Sequence, residues 1–276
     1  MTIRRITLTH GTEFEAERTQ IPDGADEEIE LVARAFHDHQ ALVEHLQMFE
    51  GRTVVSAEIV NCRVDDQVLA AICRSLGAPS LRLLDLSGNR ITHRGVGALT
   101  ALPSEHLDQW FLASNEIGDE GLRAWMRGVR VPVHVLDLGA CGLTEESLRA
   151  TRNSPMTREI RSLDVSWVLA DADALCDFFR RGAMPCLTAV AANHTEADDR
   201  VIAELSGRGG EAIRSLSLAG TAVTDRGCRL LAESDGFALE ELNIALSRTT
   251  EAGARALLDR WPHLKLTYHW PVARGR

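Results

Sequence analysis

Glu58, Asp85, Phe111, Asp137 and Asp164 follow one another at intervals of 26 or 27 residues. If a single repeating unit positions all five, they form a column of four carboxylates around one aromatic ring. Such a column suits recognition better than turnover: carboxylates steer a basic partner by charge, and the ring supplies an apolar anchor. Gln109, two residues before Phe111, and Trp167, three after Asp164, extend the same surface. The expected partner-binding set is therefore Glu58, Asp85, Gln109, Phe111, Asp137, Asp164 and Trp167.

Other chemistry has little to work with. His37, His39 and His45 lie close together, but they lack the i, i+4 spacing that puts two imidazoles on one helix face around zinc. The chain contains no GxSxG, no P-loop and no HExxH, so nothing points to a nucleophile, a phosphate cradle or a metalloprotease centre. Six cysteines (Cys62, Cys73, Cys141, Cys176, Cys186 and Cys228) are scattered without CxxC spacing and read as reduced thiols, Cys62 and Cys141 of them facing the interior. No catalytic residue, metal ligand, cofactor or small-molecule substrate is expected.

The element that must carry the column is a repeat of the form LxxLxLxx(N/C)xL. Three clear copies begin at Leu81, Leu107 and Val133, reading Leu81-Leu84-Leu86-Asn89-Ile91, Leu107-Trp110-Leu112-Asn115-Ile117 and Val133-Leu136-Leu138-Cys141-Leu143. Weaker copies begin at 54, 160, 187, 213 and 239, which makes eight. Fixed-period similarity of this kind marks a solenoid. Positions 4 and 6 are apolar between polar neighbours, the alternation of a half-buried strand, so positions 3 and 5 point the other way, onto an exposed face. Position 9 takes Asn or Cys, and an Asn amide can serve both donors and acceptors in a tightly stacked turn. The second half of each unit opens with a helix start, as in Thr92-His93-Arg94-Gly95, Gly118-Asp119-Glu120-Gly121 and Thr224-Asp225-Arg226-Gly227. Each unit is thus strand, turn, helix.

These residues resemble the leucine-rich repeat family, and within it the ribonuclease-inhibitor-like subclass with a full helix per unit. The resemblance implies an α/β solenoid, a horseshoe with parallel strands on the concave face and helices on the convex face. It covers about three quarters of the chain and weakens at 160 and 187, where Val168 replaces the Asn and small residues fill the strand. No segment matches a catalytic or partner-binding motif of the family.

The ends need covers, because a repeat array leaves its outermost faces bare. Residues 1–53 are expected to form an acidic N-terminal cap: a short strand near Thr2–Thr9, an acidic loop, then a helix from about Asp26 to Gln47 with Ile29, Val32, Phe36, Val43 and Leu46 on one face. Residues 54–276 form the array, closed by a strand at 263–268. Residues 1–50 hold eleven acidic side chains against four Arg, and the whole chain carries −10. That balance disfavours nucleic acid and anionic membrane as partners.

No apolar run reaches the ~20 residues of a membrane span, and no signal peptide opens the chain. A cytoplasmic protein is expected. Lys265 is the single lysine among thirty basic residues, a bias typical of a GC-rich bacterial genome. The functional expectation is a non-enzymatic scaffold that binds a protein, with a basic surface, on its concave face. A contact regulator of an enzyme, such as a GTPase activator or hydrolase inhibitor, and a structural subunit of an assembly are the alternatives. Asp85, Asp137 and Asp164 also fit a purely structural role at the strand-to-turn junction.

Overall fold

The computed structural model describes residues 2–8, 27–49, 51–76, 79–102, 105–180, 182, 184–207 and 209–268. It divides into two compact units, Met1–Leu136 and Asp137–Arg276.

In the first unit the strands β1 (Thr2–Leu8), β2 (Glu27–Arg34), β3 (Thr53–Val60), β4 (Leu83–Asp85) and β5 (Gln109–Phe111) pair in parallel, in chain order. The helices α1 (His39–Gln47), α2 (Asp66–Leu76) and α3 (Gly118–Gly128) alternate with them. Strand β6 (Val135–Asp137) spans the division. In the second unit β7 (Ser162–Asp164), β8 (Ala189–Ala191), β9 (Ile213–Ser217), β10 (Phe237–Asn243) and β11 (Lys265–Thr267) are again parallel neighbours. They alternate with α4 (Glu145–Arg152), α5 (Ala172–Phe179), α6 (Asp199–Gly207), α7 (Asp225–Glu233) and α8 (Glu251–Arg260). This is the strand-turn-helix solenoid that the repeat predicts. Among the described residues no helix is long and apolar enough to cross a membrane.

Repeat positions 1, 4, 6 and 11 build the core: Leu81, Leu84, Leu86 and Ile91 are buried, as are Leu107, Trp110, Leu112 and Ile117. The indole of Trp110 meets Trp125 of α3 edge to face at 5.3 Å. At position 9 the Asn side chain stitches neighbouring units. Asn89 Oδ1 accepts from the amides of Cys62 and Val64, and its Nδ2 donates to the carbonyls of Ile59 and Leu86. Asn115 repeats part of this pattern, accepting from Ile91 N and donating to Leu86 O and Leu112 O. In three repeats of the second unit position 9 is Thr195, Thr221 or Ser247, whose hydroxyls donate to a carbonyl of their own turn; those of Thr195 and Ser247 also accept from the amides of Ala197 and Thr249, two residues on.

A second stitch joins successive helix starts. Asp66 accepts from both the amide and hydroxyl of Thr92, Asp199 does the same for Thr224, and Asp225 for Thr250. The glycine three residues after each threonine makes room for that carboxylate: a Cβ at Gly95 would lie 2.1 Å from Asp66 Oδ1, at Gly227 2.4 Å from Asp199 Oδ1, and at Gly253 2.5 Å from Asp225 Oδ1. The threonine hydroxyls of Thr224 and Thr250 then cap their own helices.

Two expectations need correction. The helix expected from Asp26 to Gln47 is instead strand β2 followed by the shorter helix α1, capped by the Asp38 side chain on Ala41 N at 3.0 Å. Leu31, Val32 and Ala33 form an unbroken buried run, which hides the strand's alternation and mimics a helical stripe. Strand, turn and helix here are built as in the units that follow, so the pattern begins at β2, with β1 as one further strand beside it. The acidic loop lies outside the described residues. The unit starting at Leu81 has a short 3-10 helix, Val96–Ala101, in place of an α-helix. Gly95 and Gly97 weaken helix propensity there, and Leu102, which precedes Pro103, is extended.

Candidate functional site

The strand faces carry the expected column, unit by unit. In the first unit β3, β4 and β5 align so that Glu58 neighbours Asp85 and Asp85 neighbours Phe111, while Ser56, Leu83 and Gln109 form the adjacent row. All six are half-buried. Glu58 is already engaged: Arg34 donates to Glu58 Oε2 at 2.7 Å and Arg5 reaches both carboxylate oxygens at 3.3 and 3.4 Å. These arginines come from β2 and β1, the two strands that the repeat pattern did not reveal. The acidic start of the column is therefore neutralised from within the chain, and Val32, which pairs with Glu58 in register, is only 3% exposed.

Asp85 and its counterparts show where the consensus aspartate goes. Asp85 Oδ1 accepts from Ser87 N, Asp137 Oδ1 from Gly139 N and Asp164 Oδ1 from Ser166 N, each at 2.7–2.9 Å. These Asx turns fix the exit from the strand. Asn243 makes the same turn, to Ala245 N at 3.1 Å, with no charge.

In the second unit the strand face is small and polar. Asn193 links three units: its amides donate to Ser166 Oγ, and its Oδ1 accepts from Ser217 Oγ at 2.7 Å and Ala219 N at 2.8 Å. The large side chains sit one step further along, in the turn. Residue 8 of the unit adopts positive φ throughout: Asn61, Gly88, Ser114, Ala140, Trp167, His194, Gly220 and Leu246. Glycine and asparagine suit that conformation, whereas tryptophan and leucine are rare in it. Trp167 has φ +64°, is 55% exposed, and stacks on His194 with ring centroids 4.2 Å apart and planes 21° from parallel. Leu169 and Leu246 are 73% and 69% exposed, so this turn edge gathers apolar surface. Trp167 thus lies in a turn rather than on a strand. The sequence signal for the edge was available in the residue types at position 8, but it needed the φ pattern to be read as a column.

Among the histidines and cysteines, several side chains serve the fold. His37 precedes α1, His39 bonds the Cys62 carbonyl at 2.9 Å, and His45 bonds the Ala41 carbonyl and packs against Phe36. Burial pushes the thiols of Cys73 and Cys228 up to about 12. On the helix side of the second unit a groove of about 910 Å³ is lined by charged side chains, several of them paired, as Asp177 is with Arg152 and Arg180.

A family model described as Leucine Rich repeat matches residues 77–99 and 104–124. No curated protein matches the chain in sequence. Among solved structures, a chain of the Rad7 and Elc1 complex from yeast superposes with a TM-score of 0.65 at 17% identity, over 86% of this chain and 67% of that one. An internalin (inlF) from Listeria monocytogenes matches at a TM-score of 0.42 and 16% identity, over 81% and 63% of the two chains. The first of these likenesses establishes a shared fold.

Proposed function

The chain is a leucine-rich repeat protein, and we propose that it is a non-enzymatic scaffold that binds another protein on the exposed face of its strands and the adjoining turns. The observation that carries this reading is Trp167: a large apolar side chain held 55% exposed, at a backbone conformation that disfavours it by about 1 kcal/mol. Its stacking on His194 offsets part of that cost, but more than half of the side chain stays in solvent, where burial contributes nothing. A binding partner would gain a rigid aromatic anchor. Phe111, half-buried beside Asp85, offers a second anchor in the first unit.

In this reading Asp85, Gln109 and Phe111 form the contact row of the first unit, and Asp137, Asp164 and Trp167 that of the second. Glu58 contributes least, since Arg5 and Arg34 hold it. Residues 1–53 serve as the N-terminal cover and residues 54–276 as the array, in a protein that works in the cytoplasm. The test is quantitative capture from native lysate with the full chain as bait. One protein retained in near-stoichiometric amount by the parent, and lost with Phe111→Ala or Trp167→Ala, is the expected result; unchanged capture in both variants rejects the surface.

A further inference from the structure

We infer that the second unit binds a phosphate group in the hollow between the end of α4 and the 3-10 turn that follows it. This site stands apart from the strand face and does not rest on the scaffold reading. α4 stops at Arg152 and is capped by Asn153, whose amide donates back to the Arg149 carbonyl. Ser154 is extended, at φ −82° and ψ 137°, because the ring of Pro155 excludes the residue before it from helical geometry. One 3-10 turn, Pro155–Arg158, then leads towards β7. These segments and Gly182 of the next unit enclose a hollow of about 560 Å³, a volume typical of ligand sites.

The charge around the hollow has one sign. Arg152 and Arg158 line it together with Asn153 and Ser154, and among the described residues no Asp or Glu does. The neighbouring groove, which shares Arg152 and Asn153, is lined by both signs. Arg152 is steadied by Asp177 at 3.3 Å, and Asp177 also takes Arg180 at 2.8 Å, so one carboxylate serves two guanidiniums. Arg158 is exposed and has no ion pair among the described residues. The carbonyls that would repel an anion are already occupied: Thr151 O accepts from Ser154 N, and Ser154 O from both the amide and the hydroxyl of Thr157. What remains to be answered is donors, two guanidiniums with an amide and a hydroxyl between them. A phosphate carries nearly two negative charges at neutral pH and enough oxygens to meet both arginine forks. A carboxylate, with one charge and two oxygens, would answer one fork and leave the other in water.

The probes are inorganic phosphate and Nα-acetyl-O-phosphoserine amide, titrated calorimetrically into the full chain at about 50 mM salt, where charge contacts are least screened. The expected result is saturable binding that Arg158→Gln weakens at least roughly fivefold, in line with the loss of one charge-assisted contact. Arg158 is exposed and unpaired, so this variant keeps the fold. Arg149→Gln makes the same change of charge on α4, at a side chain that pairs with Glu145 and does not line the hollow, and should weaken binding less than roughly twofold. Tighter binding of the phosphoserine derivative assigns the site to a phosphorylated molecule, and equal binding assigns it to the free ion; either sustains the phosphate site. No saturable binding of either probe, or equal losses in Arg149→Gln and Arg158→Gln, overturns the inference.

Discussion

Asp199 grips Thr224 with both carboxylate oxygens, Oδ1 on the amide at 2.9 Å and Oδ2 on the hydroxyl at 2.6 Å. The same clamp joins Asp66 to Thr92 and Asp225 to Thr250. Each clamp fastens the start of one helix to the unit that follows, and each relies on a glycine three residues past the threonine.

Asp199→Ala removes two charge-assisted bonds and should cost about 2 kcal/mol in urea unfolding. Asp173→Ala, which removes only the exposed ion pair to Arg200, should cost less than about 0.5 kcal/mol. Gly227→Ala should destabilise the parent through close approaches to Asp199, Ile202 and Val223, and cost less in the Asp199→Ala background, which relieves the closest of the three. Additive costs would show that the two residues are not coupled.

The Asp225 clamp makes part of the stability depend on pH. Burial would raise the Asp225 carboxyl, but hydrogen bonds from the Thr250 hydroxyl and amide and the Gly253 amide, with the charge of Arg229, outweigh it and hold the group below its ordinary value of 3.8. A carboxyl whose affinity for protons is lower in the folded state stabilises fully above its unfolded value and loses that contribution as pH falls through the folded one. The stability difference between parent and Asp225→Asn should therefore be constant from pH 7 to about 5 and shrink below about pH 4. A difference that grows on acidification contradicts the assignment.

Asn89 is a denser junction than any threonine that replaces it. Asn89→Ala leaves the amides of Cys62 and Val64 without their acceptor in a buried turn, and should cost about 3 kcal/mol. Thr221→Val, which removes one bond within its own turn, should cost about 1 kcal/mol. Equal losses at the two sites would mean that the cross-unit bonds of Asn89 add nothing.

The thiols should divide by burial. Cys176 and Cys186 are half-buried, whereas Cys62, Cys73, Cys141 and Cys228 are buried. With Ellman's reagent at pH 8 the first two should react in the native protein, Cys176 slowed because burial raises its thiol; the other four should react only on unfolding, Cys62 and Cys141 because they are buried, Cys73 and Cys228 also because thiols raised to about 12 hold almost no thiolate. Rapid native reaction of Cys73 or Cys228 would contradict the packing around α2 and α7.

The repeat was legible wherever one residue performs one task. Leu84 and Leu86 fill the core, Asn89 bonds the turn, and each leaves its own mark at a fixed spacing. Strand β2 escaped because Val32 is buried on the face where the pattern demands a polar residue, roofed by a salt bridge whose members are 24 and 53 residues apart in sequence. No local window contains Arg5, Arg34 and Glu58 together. The turn edge escaped for another reason: its common property is a backbone angle, shared by Gly88, Trp167 and Leu246, which have nothing else in common. Phe111, Asp137 and Asp164 stood out by register, whereas the hollow beside Arg158 depends on how the chain turns after α4.

The turn column also links neighbours in pairs. A Cβ on Gly88 would collide with the Asn61 side chain at 1.9 Å, and one on Gly220 with the His194 ring at 2.4 Å. A bulky residue at one turn therefore dictates glycine, or a stacking ring, at the next. The edge can acquire a new surface only by paired substitutions, so lineages of this chain should show residues 61 and 88, and 194 and 220, changing together while the core beneath them stays as it is.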